Sequence, residues 1–85
     1  MNRLQARYRA LLAEGEGSVW AAVVRAAMES LGGTAVLPRL YREIDGHRPT
    51  PTAFWQAKVR QTLQRIAVRI GDGVWQLPEA EARAA

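Results

Sequence analysis

Apolar positions recur at three- and four-residue spacing along most of the chain and change to alternation near its end. Between residues 2 and 13, Leu4, Tyr8, Leu11 and Leu12 share one face while Arg3, Gln5 and Arg7 lie elsewhere, which predicts an amphipathic helix. Gly15 and Gly17 end it in a flexible joint. Its apolar face can pack on the rest of the chain or on a second copy, and the pattern alone does not choose. Ser18 is placed to cap a second helix running from residue 19 to about residue 31. Trp20, Val23, Val24, Ala27 and Leu31 form its apolar face, and Gly32-Gly33 stops it.

Residues 34–36, Thr-Ala-Val, are short and β-prone. Pro38 suits the first turn of a third helix, with Leu37, Leu40, Tyr41 and Ile44 inward and Arg39, Arg42 and Glu43 toward water. Asp45-Gly46 closes that helix, and a polar loop follows. Thr50 as cap and Pro51 at the first helical position then predict a fourth helix over residues 51–65. At 100° per residue, Trp55, Val59, Thr62, Leu63 and Ile66 fall on one side of it. The opposite side carries Ala53, Gln56, Ala57, Arg60, Gln61 and Gln64, flanked by Lys58 and Arg65. No carboxylate stands on that face, whereas a merely solvated helix ordinarily mixes both signs of charge.

From residue 68 to 77 the period is two. Asp72-Gly73 reads as a two-residue turn of type I′. It pairs Ile70 with Trp75 and Val68 with Leu77 on one face, and Arg69 with Gln76 on the other. A hairpin alone is marginal in water, so the segment at 34–36 is expected to join it as a third strand. Residues 79–85 read as a frayed helical tail. The expected fold is α+β: a three-helix core with a small antiparallel hairpin over residues 18–78, preceded by an extra helix and glycine joint at 1–17.

The 85 residues make one domain at most. Three tryptophans, two tyrosines and one phenylalanine supply much of the core that so small a domain needs; Trp20, Trp55 and Trp75 are its expected anchors. Cysteine is absent, which excludes a disulfide framework and thiolate chemistry. The longest apolar run, residues 19–24, is too short to span a bilayer, and no stretch of signal-peptide length follows the N-terminal arginines. The expected location is the cytoplasm. The sole histidine, His47, sits in a polar loop where the sequence makes no orienting group evident, which argues against a metal site or a Ser-His-Asp set. Asp45 and Asp72 are turn residues, and Gly71-Asp-Gly73 makes a turn rather than a phosphate cradle. Neither enzymatic activity nor a cofactor is expected.

Net charge is +4 and unevenly spread. Residues 37–70 carry Arg39, Arg42, Arg48, Lys58, Arg60, Arg65 and Arg69 against Glu43 and Asp45, while residues 71–85 are net acidic. A cationic centre of this kind is the footprint of a surface that meets a polyanion. Charge alone does not separate that from a basic but merely solvated chain.

The order helix, short strand, helix, helix, strand, turn, strand, with Trp55-Gln-Ala-Lys-Val-Arg-Gln-Thr-Leu63 followed by Gly71-Asp-Gly-Val-Trp-Gln-Leu77, resembles the winged helix-turn-helix domain over residues 18–77. Forkhead domains share a similar helix and wing. Bacterial winged helices attached to restriction and regulatory proteins are more similar still, especially over residues 31–41. A forkhead-like helix offers Asn and His to bases where this chain has Ala57 and Gln61, so forkhead sequence preference does not carry over. The resemblance implies a transcriptional regulator of bacterial or phage type that binds double-stranded DNA and associates with the nucleoid. Its third core helix would enter the major groove, with the hairpin against the backbone or minor groove.

The side chains agree with that expectation. Gln56, Gln61 and Gln64 suit adenine edges, and Arg60 suits guanine. Small Ala53 and Ala57 permit close approach. Arg39, Arg42, Arg48, Lys58 and Arg65 suit phosphates. Thr50 and Thr52, with the free N–H groups of the helix start, suit one more, and Arg69 serves the wing. The amphipathic first helix makes a homodimer an expected partner arrangement. The alternative function is a winged-helix protein-interaction module, or an accessory subunit of a DNA-processing or defence complex.

Overall fold

Four helices and three strands succeed one another in the computed structural model of the chain, which describes residues 3–15, 17–49 and 53–79. In order they are α1 (Arg3–Ala13), α2 (Val19–Ser30), β1 (Thr34–Val36), α3 (Leu37–Ile44), α4 (Trp55–Ile66), β2 (Val68–Gly71) and β3 (Val74–Gln76). The architecture is α+β, and its element order is compatible with the winged-helix layout. The expected cap Thr50, with Pro51 and Thr52, lies outside the described residues, as does the tail at 80–85.

The second helix has both ends secured by local chemistry. Ser18 is extended (φ −148°, ψ 158°), and its Oγ accepts the Ala21 N–H at 3.1 Å, satisfying one of the donors a helix start leaves orphaned. At the other end, Gly32 N–H donates to Glu29 O at 3.0 Å and Gly33 N–H to Met28 O at 2.8 Å. That double bond pattern is a Schellman stop, and it works because both glycines hold φ near +90°. Ser18→Ala is expected to lower the unfolding free energy by about 1 kcal/mol, read from a urea titration.

Leu4, Tyr8 and Leu11 of α1 are buried in the same core as Val23, Val24, Ala27, Met28, Leu40, Ile44, Val59, Leu63 and Leu77. Arg7 Nε donates to Glu29 Oε2 at 2.7 Å and ties α1 to the end of α2. The Glu29 carboxylate, through this hydrogen bond and then its charge, raises the Arg7 guanidinium above its usual pKa. The apolar face of α1 is thus used within the chain. Of the two arrangements its pattern allowed, the structure shows the one within the chain.

The third strand joins as expected, in the order β1-β3-β2, all antiparallel. Thr34 pairs with Gln76 and Ala35 with Trp75, and Gln76 Nε2 donates to Thr34 Oγ1 at 3.0 Å. Leu37 N–H to Gly73 O and Leu77 N–H to Gly33 O extend the ladder beyond both ends of β1.

The hairpin register differs from expectation. Gly71 opposes Val74 across the turn, but a bulge at Ile70 then sets Arg69 opposite Trp75 and Val68 opposite Gln76. A type I′ turn needs positive φ at both central residues. Here Gly73 has φ +67° while no non-glycine residue among those described has positive φ, so Asp72 does not meet that requirement. The bulge is the local irregularity that goes with this turn. Its consequence is that Val68 and Ile70 remain 43% and 49% exposed rather than facing the core. Trp75 and Trp20 are only half-buried, packed against the edge of the core.

The fourth helix begins at Trp55, not at residue 51. Ala53 and Phe54 form a turn, and Phe54 stands at the cap position without a side-chain bond. Residues 45–54 therefore make a connection between α3 and α4 well beyond the three or four residues of a tight helix-turn-helix. Ala53 leaves the helical face that the periodicity assigned to it.

Candidate nucleic-acid interface

Burial on α4 follows its sequence. Trp55, Val59, Thr62 and Leu63 are buried, and Thr62 Oγ1 donates to Lys58 O at 2.7 Å, which lets a hydroxyl sit inside. Fixing that face toward α2 leaves Gln56, Lys58, Arg60, Gln61, Gln64 and Arg65 all exposed, with Ala57 half-buried among them. At 100° per residue, Ala57, Gln61 and Gln64 run down the middle of the outward face. Gln56 and Arg60 lie on one flank, and Lys58 and Arg65 on the other.

Each flank is shaped by a neighbouring element. On the first, Arg60 Nη1 donates to Tyr41 Oη of α3 at 3.0 Å. Tyr41 meets Trp55 edge-on, ring centroids 5.6 Å apart at 79°, and the Arg48 guanidinium lies over the Trp55 ring at 5.2 Å. Two cations far apart in sequence are thereby set around one aromatic pair, and Arg48 pins the long α3–α4 connection to the start of α4. On the second flank, Lys58, Gln61, Thr62 and Arg65 line a groove of about 440 Å³ with Ser18, Val19 and Trp20 from the start of α2. Cations thus border the amide row on both sides.

Other expected site residues are placed differently. Arg39 is exposed on α3. Arg42 lines a separate groove of about 790 Å³ with Arg3, Arg7, Glu29, Glu43 and His47, where carboxylates stand among the cations. Arg69 folds back on the hairpin turn, donating to Gly71 O at 3.2 Å and Asp72 Oδ1 at 3.0 Å. The wing therefore presents an exposed ion pair rather than a lone cation. With α4 starting at Trp55, its orphan N–H groups belong to residues after the turn and not to the Thr50–Thr52 stretch, which lies outside the described residues.

Two features escaped the sequence pattern. The Tyr41–Arg60 bond joins residues nineteen positions apart on different helices, and no local signal reports it. Phe54 is 76% exposed; the helical wheel gives its flank position, but no pattern reports a large apolar side chain left on the polar side.

Every buried side-chain nitrogen and oxygen among the described residues has a hydrogen-bond partner, and no group of three His, Cys, Asp or Glu there could hold a metal ion. No helix among them is long and apolar enough to cross a membrane. No family model, curated protein or solved structure matches the chain.

Proposed function

We infer that the chain is a winged helix-turn-helix protein that binds double-stranded DNA without catalysis, a regulator of bacterial or phage type acting at the nucleoid. α4 enters the major groove and the β2–β3 hairpin rests beside it. The observation that carries the reading is the outward face of α4: a row of amides with Arg48 and Arg60 along one border and Lys58 and Arg65 along the other, all exposed. A helix of about 10–12 Å diameter fills the roughly 12 Å width of the major groove. Borders of this kind meet phosphates on both strands while Gln61 and Gln64 face base edges. Arg60, held by Tyr41, reaches its partner with less freedom to lose.

Purified protein titrated with random-sequence duplex in dilute buffer is expected to bind. Arg60→Ala or Gln61→Ala should weaken or re-specify that binding by about 1–3 kcal/mol where a bidentate base contact is lost, with the unfolding midpoint unchanged. Absence of binding to any duplex at low salt ends the reading.

A second reading, a protein-interaction module in a DNA-processing or defence complex, draws on the exposed Val68 and Ile70 of the hairpin, since apolar surface left to water marks contact sites when it is contiguous. Under it the α4 substitutions leave duplex affinity untouched, while Ile70→Ser releases the partner.

A further inference from the structure

We propose that the groove between the start of α2 and the second flank of α4 is a binding site for a small aromatic carboxylate, and that this ligand and a duplex exclude one another; the second half rests on the DNA-binding reading above. The groove, of about 440 Å³, has two walls of different chemistry. One is Lys58, Gln61 and Arg65 of α4, spaced so that they stand along one line of the helix. The other is Val19 and Trp20 of α2. No carboxylate among the described residues lines this groove, so its two cations are unbalanced there. The groove at Arg42 differs in this respect, since Glu29 and Glu43 stand in it.

The hydroxyls of the lining are used within the chain: Ser18 Oγ accepts the Ala21 N–H, and Thr62 Oγ1 donates to Lys58 O. The remaining donors are not. Lys58, Gln61 and Arg65 are exposed, and no side-chain bond among the described residues holds them. The Trp20 indole N–H has no partner there either. Every buried polar side-chain atom has one, so that N–H is open to water. The apolar wall is also left incomplete. Val19 is 42% exposed, and Trp20 packs on the core while part of it stays open. A fitting ligand covers apolar surface on one side and neutralises cations on the other. An aromatic ring meets the indole and the valine, and its carboxylate takes charge-assisted bonds from the Arg65 fork and the Lys58 ammonium. The volume lies within the range of small-molecule sites, about 300–1,000 Å³. Lys58 and Arg65 also form the phosphate border of α4 in the DNA reading, so one occupant displaces the other.

Benzoate is the probe, with acetate supplying the charge without the ring and benzyl alcohol the ring without the charge. Titrated into the isotope-labelled full chain at constant ionic strength, benzoate is expected to bind about tenfold more tightly than either, since each control lacks one half of the interaction. Amide shifts should centre on residues 18–20 and 58–65. Arg65→Ala and Val19→Ser, both at exposed positions, should each weaken benzoate several-fold with unchanged thermal midpoints, and Arg42→Ala should leave it alone. Binding no tighter than that of acetate or benzyl alcohol, shifts centred elsewhere, or full affinity in Arg65→Ala each overturns the site. In duplex titrations, benzoate at about ten times its dissociation constant should weaken the apparent affinity about tenfold. An unchanged duplex affinity overturns the mutual exclusion and leaves the site standing. A chain that binds no duplex overturns the DNA reading and the exclusion with it, while the benzoate titration still decides the site.

Discussion

Trp55→Ala is expected to lower the unfolding free energy by about 3–5 kcal/mol, the usual cost of deleting a large buried ring. Trp55 is 8% exposed and belongs to the central cluster with Val59 and Leu63. Its edge-on contact with Tyr41 adds roughly 0.5–1.5 kcal/mol beyond burial, and the Arg48 guanidinium above it about 0.5–1 kcal/mol at a largely exposed site. A small domain holds only about 0.05–0.15 kcal/mol of stability per residue, so this one substitution removes a large share of the total. Urea unfolding followed by far-ultraviolet circular dichroism measures it. Trp55→Phe, which keeps a ring against Tyr41, should cost far less than the alanine variant. An unchanged urea midpoint in Trp55→Ala would show that α4 is not seated through this ring. The substitution also has a functional reach. Trp55 is the surface on which Arg48 lies and against which Tyr41, the anchor of Arg60, is packed. Molecules that remain folded should therefore lose the ordered flank as well as stability.

How much of this was legible in the sequence depends on the distance over which each signal acts. The second helix was readable at both ends because its cap and its stop are local: Ser18 bonds three residues ahead, and two adjacent glycines take the left-handed conformation themselves. The buried side of α4 was readable because helical period alone assigns Trp55, Val59, Thr62 and Leu63 to one face. Its beginning was not. The Thr-Pro signal points to residue 51, whereas the described helix starts at Trp55 after a turn at Ala53 and Phe54, so a local start signal does not fix where the buried face begins. The hairpin shows the same limit. Its turn residues and closing pair, Gly71 with Val74, were legible, but the bulge at Ile70 was not, because alternation stays regular in the sequence whether or not one residue is skipped in the ladder. The placement of α1 is not legible for a related reason: an amphipathic helix declares that it has a partner, and only packing names α2. For the interface, exposure of Gln56, Lys58, Arg60, Gln61, Gln64 and Arg65 followed from periodicity. The division of its cations into two flanks follows from the same period, whereas the Tyr41 anchor of Arg60 and the groove shared with the start of α2 are contacts distant along the chain.

That division carries the largest functional prediction. If Arg48, Lys58, Arg60 and Arg65 meet phosphates, each displaces counterions condensed on the duplex. The logarithm of the binding constant should then fall against the logarithm of salt with a slope of about −3 to −4, or about a hundredfold between roughly 50 and 200 mM. Equilibrium titration of one duplex at several salt concentrations measures the slope. Lys58→Ala should make it shallower by about 1, because a phosphate contact is worth nearly one released ion whatever the sequence. Gln61→Ala should leave the slope alone and change the ranking among duplexes, since a neutral amide reading a base edge releases no counterion. Arg42→Ala is the discriminating control. It removes the same charge as Lys58→Ala but from the groove shared with Glu29 and Glu43, away from α4. Equal effects of the two would mean that binding follows net charge alone and that the face of α4 has no privileged role. A full effect at Lys58 and almost none at Arg42 would mean that the duplex lies along the amide row, between the two borders of cations.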